Sequence, residues 1–328
     1  MPSNPVRDTV RAVEDDLQLV SVNDDAIEAF AEEHNEDEFE LPNWDAPVFP
    51  DRGDWSFNRT VDFFVAGNAL NFCFNDVDTG DKFEAERMGM EMDGAFGMWL
   101  CLYDETVNGE IDFTDSEALQ GITSEEFNRV FRPSNDVEMP LRQERIAFLR
   151  DIGAEMSDVG SFGKLARSAD PHLFGHNGFV HELVERTDAY GQDTRTLDGQ
   201  LVRFNKRAQL TAMMLRGYYQ SRTLLRMDDL DELTIPADYG VPNTLRGLDI
   251  LSYENELQSA VDGQEALPEN SRGEVEIRAA TVMAGDKLRT ALNNRRDDSV
   301  SMPQLDYFLW SLRRESPHNE HLTETTAY

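Results

Sequence analysis

The stretch 274–292, EVEIRAATVMAGDKLRTAL, constrains the fold more than any other part of the chain. Placed on a helical wheel, Val275, Ile277, Ala280, Val282, Met283 and Leu288 point in nearly every direction. A helix without a polar face is buried on all sides. Covering it takes several further elements, which a chain of 328 residues with 40% hydrophobic content can supply. The same stretch carries Glu274, Glu276 and Arg278, and ionised groups inside a core must be paired or serve a ligand. Glu274 and Arg278 are four apart and can pair on one face, which leaves Glu276 to line a pocket.

Most of the remaining sequence also reads as helix. Asn4 caps a first helix with Pro5 at its first position and an apolar stripe of Val6, Val10, Val13 and Leu17. Asn23 caps a second over 24–33, and Thr123 with Glu126 has the capping-box spacing for a short helix ending near Arg132. Pro140 opens another, along which Leu141, Leu149, Ile152 and Met156 recur at helical spacing. Residues 60–74 are rich in β-branched and aromatic side chains, and 82–96 hold two short runs around Met88-Gly89. Together they predict a small antiparallel sheet. A further strand, 201–204, leads into a helix from Asn205 to about Arg222. No solenoid-like repeat is present. The expectation is one domain over 1–328, mainly α with a small antiparallel β-sheet at about 60–96.

Charge narrows the function classes. There are 64 acidic residues against 30 basic ones, a net charge of −34, and only four lysines stand beside 26 arginines. Acidic residues spread along a lysine-poor chain predict a surface adapted to high salt, where ions screen their repulsion. A dedicated partner would call for a block of like charge, and the longest candidate, 32–40, is broken by His34 and Asn35. The same charge argues against duplex nucleic acid, whose phosphates need a basic footprint. No apolar run approaches the roughly 20 residues of a membrane helix, and MPSNPVRDTV has no signal-peptide character. No membrane partner and a cytoplasmic location are expected. Cys73 and Cys101, set among apolar residues, read as buried free thiols.

Which residues carry chemistry is less plain. His172, His176 and His181 are separated by glycines and Pro171, which spoils a shared helical face and favours a surface loop over a metal site. His318 and His321 reach a pocket only if the tail folds back. No nucleophile elbow, Walker loop or dinucleotide-binding turn is present, and no cofactor is expected. What remains is carboxylates and one lysine. Lys206 stands beside Arg207 at a helix start, where amides and two cations suit a phosphate, although Lys206 taken by itself reads first as an exposed helix-start cation. Asp238, in a loop bounded by prolines, reads by itself as a helix cap. Asp306 lies in an aromatic run, either on a solvent stripe or buried with a purpose.

Six segments, taken together and in order, resemble the queuosine salvage family: Leu70-Asn-Phe-Cys-Phe74, Met139-Pro-Leu-Arg-Gln-Glu-Arg145, Lys206-Arg-Ala-Gln209, Ala237-Asp-Tyr239 with Pro242, Glu274-Val-Glu-Ile-Arg278, and Asp306-Tyr-Phe-Leu-Trp310. The resemblance runs from about Asp62 onward. It implies a queuosine 5′-phosphate N-glycosylase on a helical fold similar to the helix-hairpin-helix DNA glycosylases. By the same resemblance Asp238 is the catalytic acid. Asp306 contacts the base with Tyr307 and Trp310 alongside, and Lys206 contacts ribose or phosphate with Arg207 beside it. Ala237, Tyr239, Glu276 and Arg278 complete the substrate-binding set. The implied partner is a small-molecule nucleotide. The chain departs from the family pattern at Pro236 and Ser311 and has no histidine after Trp44, which leaves the base open among 7-deazaguanines. A DNA-repair-type base glycosylase and a non-catalytic 7-deazapurine nucleotide-binding protein are the alternatives; −34 speaks against the first, and the presence of Asp238 against the second.

Overall fold

The apolar stretch forms the helix Arg272–Asn293, and residues 273–285 are buried without exception in the computed structural model, which describes residues 3–220 and 225–328. The chain divides into two compact units. The first comprises Met1–Pro42, Asp193–Gln209 and Asp228–Thr323, and the second Asn43–Gln192, Leu210–Met227 and Glu324–Tyr328.

In the first unit the long helix is covered from several sides. The helix Pro5–Arg11 is capped by Asn4, whose side chain accepts from the Val6 amide, with Pro5 in the first turn. Val6, Val10 and Val13 join Val275, Ala279, Val282 and Met283 in one apolar cluster that also takes in Phe204 and Ala237. Each such side chain contributes roughly 1.5–3 kcal/mol on full burial. Because Phe204 and Ala237 lie two residues and one residue before Lys206 and Asp238, this packing also fixes where those two charges sit. The helix Asp24–Glu33 starts at the Asn23 cap. The strand Val20–Val22 runs antiparallel to Leu251–Tyr253, and Thr194–Leu197 pairs with Gln200–Arg203 across a turn whose Asp198 and Gly199 have φ of 47° and 83°. The tail does fold back: the Leu267 amide donates to the Leu322 carbonyl at 2.8 Å.

The second unit is also mainly helical, and it corrects one expectation. Residues 60–74 form no strand; 57–69 are the helix Phe57–Ala69, capped by Ser56, with residues 60–69 all buried. The β-branched and aromatic content there reflects burial on every side. A buried helix and a buried strand share that composition. Gly67 shows how tight the packing is, since a Cβ there would stand 2.0 Å from the Trp99 ring. The small sheet of this region is only the hairpin Glu84–Arg87 with Met90–Asp93, turning at Met88 and Gly89. The capping box at Thr123 and Glu126 is present. The helix expected from Pro140 begins two residues later, as Arg142–Val159, because Leu141 is left-handed. Cys73 and Cys101 are buried and unbridged.

The helix expected from Asn205 begins one residue later, as Lys206–Tyr219, because Asn205 takes a positive φ of 47°. Its expected end near Arg222 lies outside the described residues. Among the described residues, no helix is long and apolar enough to cross a membrane.

Candidate active site

Lys206, Asp238 and Asp306 come together within the first unit. The Lys206 amide donates to Asp193 Oδ2 at 2.8 Å, which fixes the helix start. Its side chain is 5% exposed. Among the described residues no hydrogen bond reaches Nζ, whose ionic neighbour is Asp238 Oδ2 at 3.8 Å. Burial pulls the Lys206 pKa below its ordinary value, against the raising effect of Asp238 and Asp306, while Arg207 and Arg278 push the same way as burial. A buried ammonium with one distant carboxylate for company is poised to take an anion.

Asp238 serves two purposes, one per oxygen. Oδ1 accepts from the amides of Gly240 and Val241 at 2.8 and 3.3 Å and so caps the helix Gly240–Gly247. That leaves Oδ2 turned toward Lys206. The cap expected of Asp238 is thus made by one oxygen, and the other stays 3.8 Å from the Lys206 ammonium. Asp306 lies on the helix Met302–Ser311, begun by a Ser301–Gln304 capping box. Its carboxyl is pushed up to about 8, first by burial and then by the charge of Asp238, with Lys206 opposing. No hydrogen bond among the described residues satisfies it, although part of the residue stays open to solvent. Trp310 lies four residues on, hence on the same helix face. Tyr307 stacks on Trp310 at 6.3 Å and 18°, and Arg313 covers the Trp310 ring at 3.6 Å. Tyr239 is half-buried beside Asp238 in sequence. The chemistry on hand is one cation, one acid able to face positive charge, one acid held neutral, and an aromatic stack.

Behind these groups stands a buried ionic network. Arg278 is wholly buried. Its Nε donates to the Ala237 carbonyl at 3.1 Å and its Nη2 to Asp193 Oδ2 at 3.0 Å. Nη1 lies 3.4 Å from Glu274 Oε1, so the expected pairing of Glu274 with Arg278 is present. Asp193 Oδ1 is 2.8 Å from Nη1 but off the N–H direction, so it makes a charge contact without a hydrogen bond. Burial raises Asp193, yet Arg278, the Lys206 amide and Arg195 together outweigh it and the carboxyl falls below its usual range. Glu274 goes the other way, raised by burial that Arg278 and Arg195 only partly oppose. Arg207 is buried next to Lys206.

Glu276 does not line the site. Its Oε2 accepts from the amides of Gln18, Leu19 and Val20 at 2.8, 2.6 and 3.2 Å, and its Oε1 from Arg272 at 2.7 Å. Both oxygens are committed to holding the chain ahead of the first strand, which corrects the substrate-binding expectation for this residue. Two residues outside the expected site set lie near Arg278. Asp193 carried no signal beyond a lone acid ahead of a strand. His321 is buried and its imidazole is held down to about 3 by burial and by Arg278, so it is neutral; the returning tail was its only cue.

Comparison with known proteins identifies the family. The sequence profile of the family described as "Queuosine salvage protein" matches residues 52–327. Three proteins named queuosine 5′-phosphate N-glycosylase/hydrolase are similar to the chain. The one from Sphaerobacter thermophilus is 30% identical over 98% of this chain and 96% of its own. That of Dictyostelium discoideum is 31% identical over 64% of each. That of Bos taurus is 26% identical over 78% of this chain and 76% of its own. Matched by the profile over most of its length, and by a relative along nearly all of it, the chain belongs to the queuosine salvage protein family.

Proposed function

We propose that this protein hydrolyses the N-glycosidic bond of queuosine 5′-monophosphate, or of a related 7-deazaguanine nucleotide, to free base and ribose 5-phosphate. The observation that carries this reading is the trio in one unit: Lys206 Nζ, which no hydrogen bond reaches among the described residues, Asp238 at 3.8 Å with one oxygen uncommitted to the helix cap, and Asp306 held neutral. The names of the relatives supply the substrate class.

In this reading Lys206, with Arg207 beside it, takes the 5′-phosphate. The C1′–N9 bond breaks, its electrons pass to the base, and positive charge gathers on the sugar as in glycoside hydrolysis. Asp238 meets that charge, either directly as nucleophile or as a fixed counter-charge needed most in the transition state. Water then supplies its oxygen to C1′, and its proton ends on the base nitrogen. A 7-deaza base carries carbon at position 7, so protonation there does not assist departure. Support has to come from the remaining edge, where neutral Asp306 offers one donor and one acceptor. Tyr239, Tyr307 and Trp310 give the base flat apolar surfaces. Ala237 and Arg278 act on Asp238 rather than on the substrate.

The same reading treats 1–328 as one working glycosylase, because the family match runs through segments of both units. It takes the likeness to helix-hairpin-helix glycosylases from what the family resemblance implies, and the mainly helical build of each unit is compatible with it. It takes a salt-adapted, cytoplasmic setting from the net charge of −34. The test is direct. Purified protein in molar KCl is offered purine and 7-deazapurine nucleosides and 5′-monophosphates, and free base is measured. Release from a 7-deazaguanine monophosphate supports the reading. Tight binding of that nucleotide without release would favour a binding protein instead.

A further inference from the structure

We propose that Asp193 is a positioning residue that sets the separation of the Lys206 ammonium and the Asp238 carboxylate, acting through Arg278; this deepens, and rests on, the N-glycosidase reading above. Three bonds carry the inference. Asp193 Oδ2 accepts from the Lys206 amide at 2.8 Å and from Arg278 Nη2 at 3.0 Å. Arg278 Nε donates to the carbonyl of Ala237, the residue before Asp238, at 3.1 Å. One carboxylate oxygen is thus tied on one side to the backbone bearing the lysine. On the other side, through a single planar guanidinium, it is tied to the backbone bearing the acid. The guanidinium fork is rigid, so the two reactive groups share one reference point.

The surroundings leave this linkage little freedom. The Phe204 ring lies under the Arg278 guanidinium at 4.0 Å, and the Phe204 amide donates to the Asp193 carbonyl at 3.0 Å. Glu274 meets Arg278 at 3.4 Å and Arg195 at 3.7 Å, while the charge of Arg278 helps keep buried His321, in the tail, neutral. For stability alone, apolar side chains of similar volume often do as well as a buried ion network. The network lies where two reactive groups must be held, and geometry there decides rate: a misplacement of about 1 Å can cost on the order of 10²-fold.

The test uses the full chain in molar KCl with the best 5′-monophosphate of the panel. Asp193→Asn keeps the shape and removes the charge that anchors Arg278. We expect kcat to fall by about 10- to 100-fold with KM within about threefold. Added to Asp238→Asn, the same change should lower the residual rate no further, because the acid it positions is already gone. A merely structural lesion would slow both backgrounds alike, and that result would overturn the proposal. Should Asp193→Asn fail to fold, Arg278→Lys keeps the buried charge but cannot span both partners, and the same kcat loss is expected. A crystal structure of either variant gives a second readout. The Lys206–Asp238 separation should widen from 3.8 Å. An unchanged separation overturns the positioning role even if wild-type protein cleaves nothing in the panel, an outcome that would sink only the assigned reaction.

Discussion

Arg145 in the second unit and Arg278 in the first are both wholly buried, yet they are used differently. Arg145 donates to carbonyls: Pro140 at 2.8 Å, Cys73 at 2.7 Å, and Leu70 and Phe72 by shorter bonds. Its guanidinium also lies over the Phe72 ring at 4.1 Å. It holds an irregular turn after the helix Phe57–Ala69, and thereby joins two of the family-like segments, 70–74 and 139–145. Arg278 instead meets two buried carboxylates and reaches one carbonyl, the one next to Asp238. A buried cation that satisfies backbone marks architecture. A buried cation surrounded by acids, one bond from the residue before Asp238, is the arrangement that the proposed site calls for.

The largest effect that separates the two uses is on stability. Arg145→Ala leaves several buried carbonyls without donors and should cost on the order of 3–5 kcal/mol, measured by denaturant unfolding. Turnover per folded molecule should be unchanged, and a specific loss of kcat would undo the contrast. Lys206→Ala should come next. It should weaken kcat/KM for a 5′-monophosphate by about 10- to 100-fold, as expected for a charge-assisted contact, while the nucleoside is hardly affected. Equal losses on both substrates would remove the phosphate from Lys206.

Glu276→Gln sharpens the comparison from another side. The carboxylate serves three amides and Arg272, so the amide variant should cost about 1–3 kcal/mol of stability. KM and kcat should stay as they were; a raised KM for the nucleotide would return Glu276 to the site. The mildest effect concerns pH. Asp306 is raised to about 8, so between its ordinary range and about 8 the folded state keeps a proton that the unfolded chain has released. Its contribution to stability is full below that window and is lost as pH rises through about 8. The rate should decline over the same upper limb. In Asp306→Asn, which stays neutral, that limb should be missing from the pH–rate profile, and a limb that persists would assign it to another group.

Much of this was legible in the sequence because local rules and global burial agree. Asn4, Asn23 and Thr123 cap the helices that their neighbours predict, and the all-apolar wheel of 274–292 foretells a buried helix. Residues 60–74 misled because burial on every side erases the period that separates strand from helix. At the site, the match of Lys206, Asp238 and Asp306 to family segments named groups that lie tens of residues apart in the chain and meet in the fold. Glu276 was misread because spacing says which way a side chain points but not which backbone amides wait there. Asp193 was out of reach, since it gains its role only from Arg278, 85 residues away, and His321 was named only on the condition that the tail folds back.

The most direct test of the central claim is the single-turnover rate of Asp238→Asn on the best 5′-monophosphate, measured beside its affinity. The variant keeps the helix cap through Oδ1 but loses the charge proposed to meet the sugar. The rate should fall by on the order of 10²–10³ or more, while affinity for the intact nucleotide stays close to wild type. Near-wild-type turnover would contradict the account, reduce Asp238 to a helix cap, and move the search for the acid to Asp306.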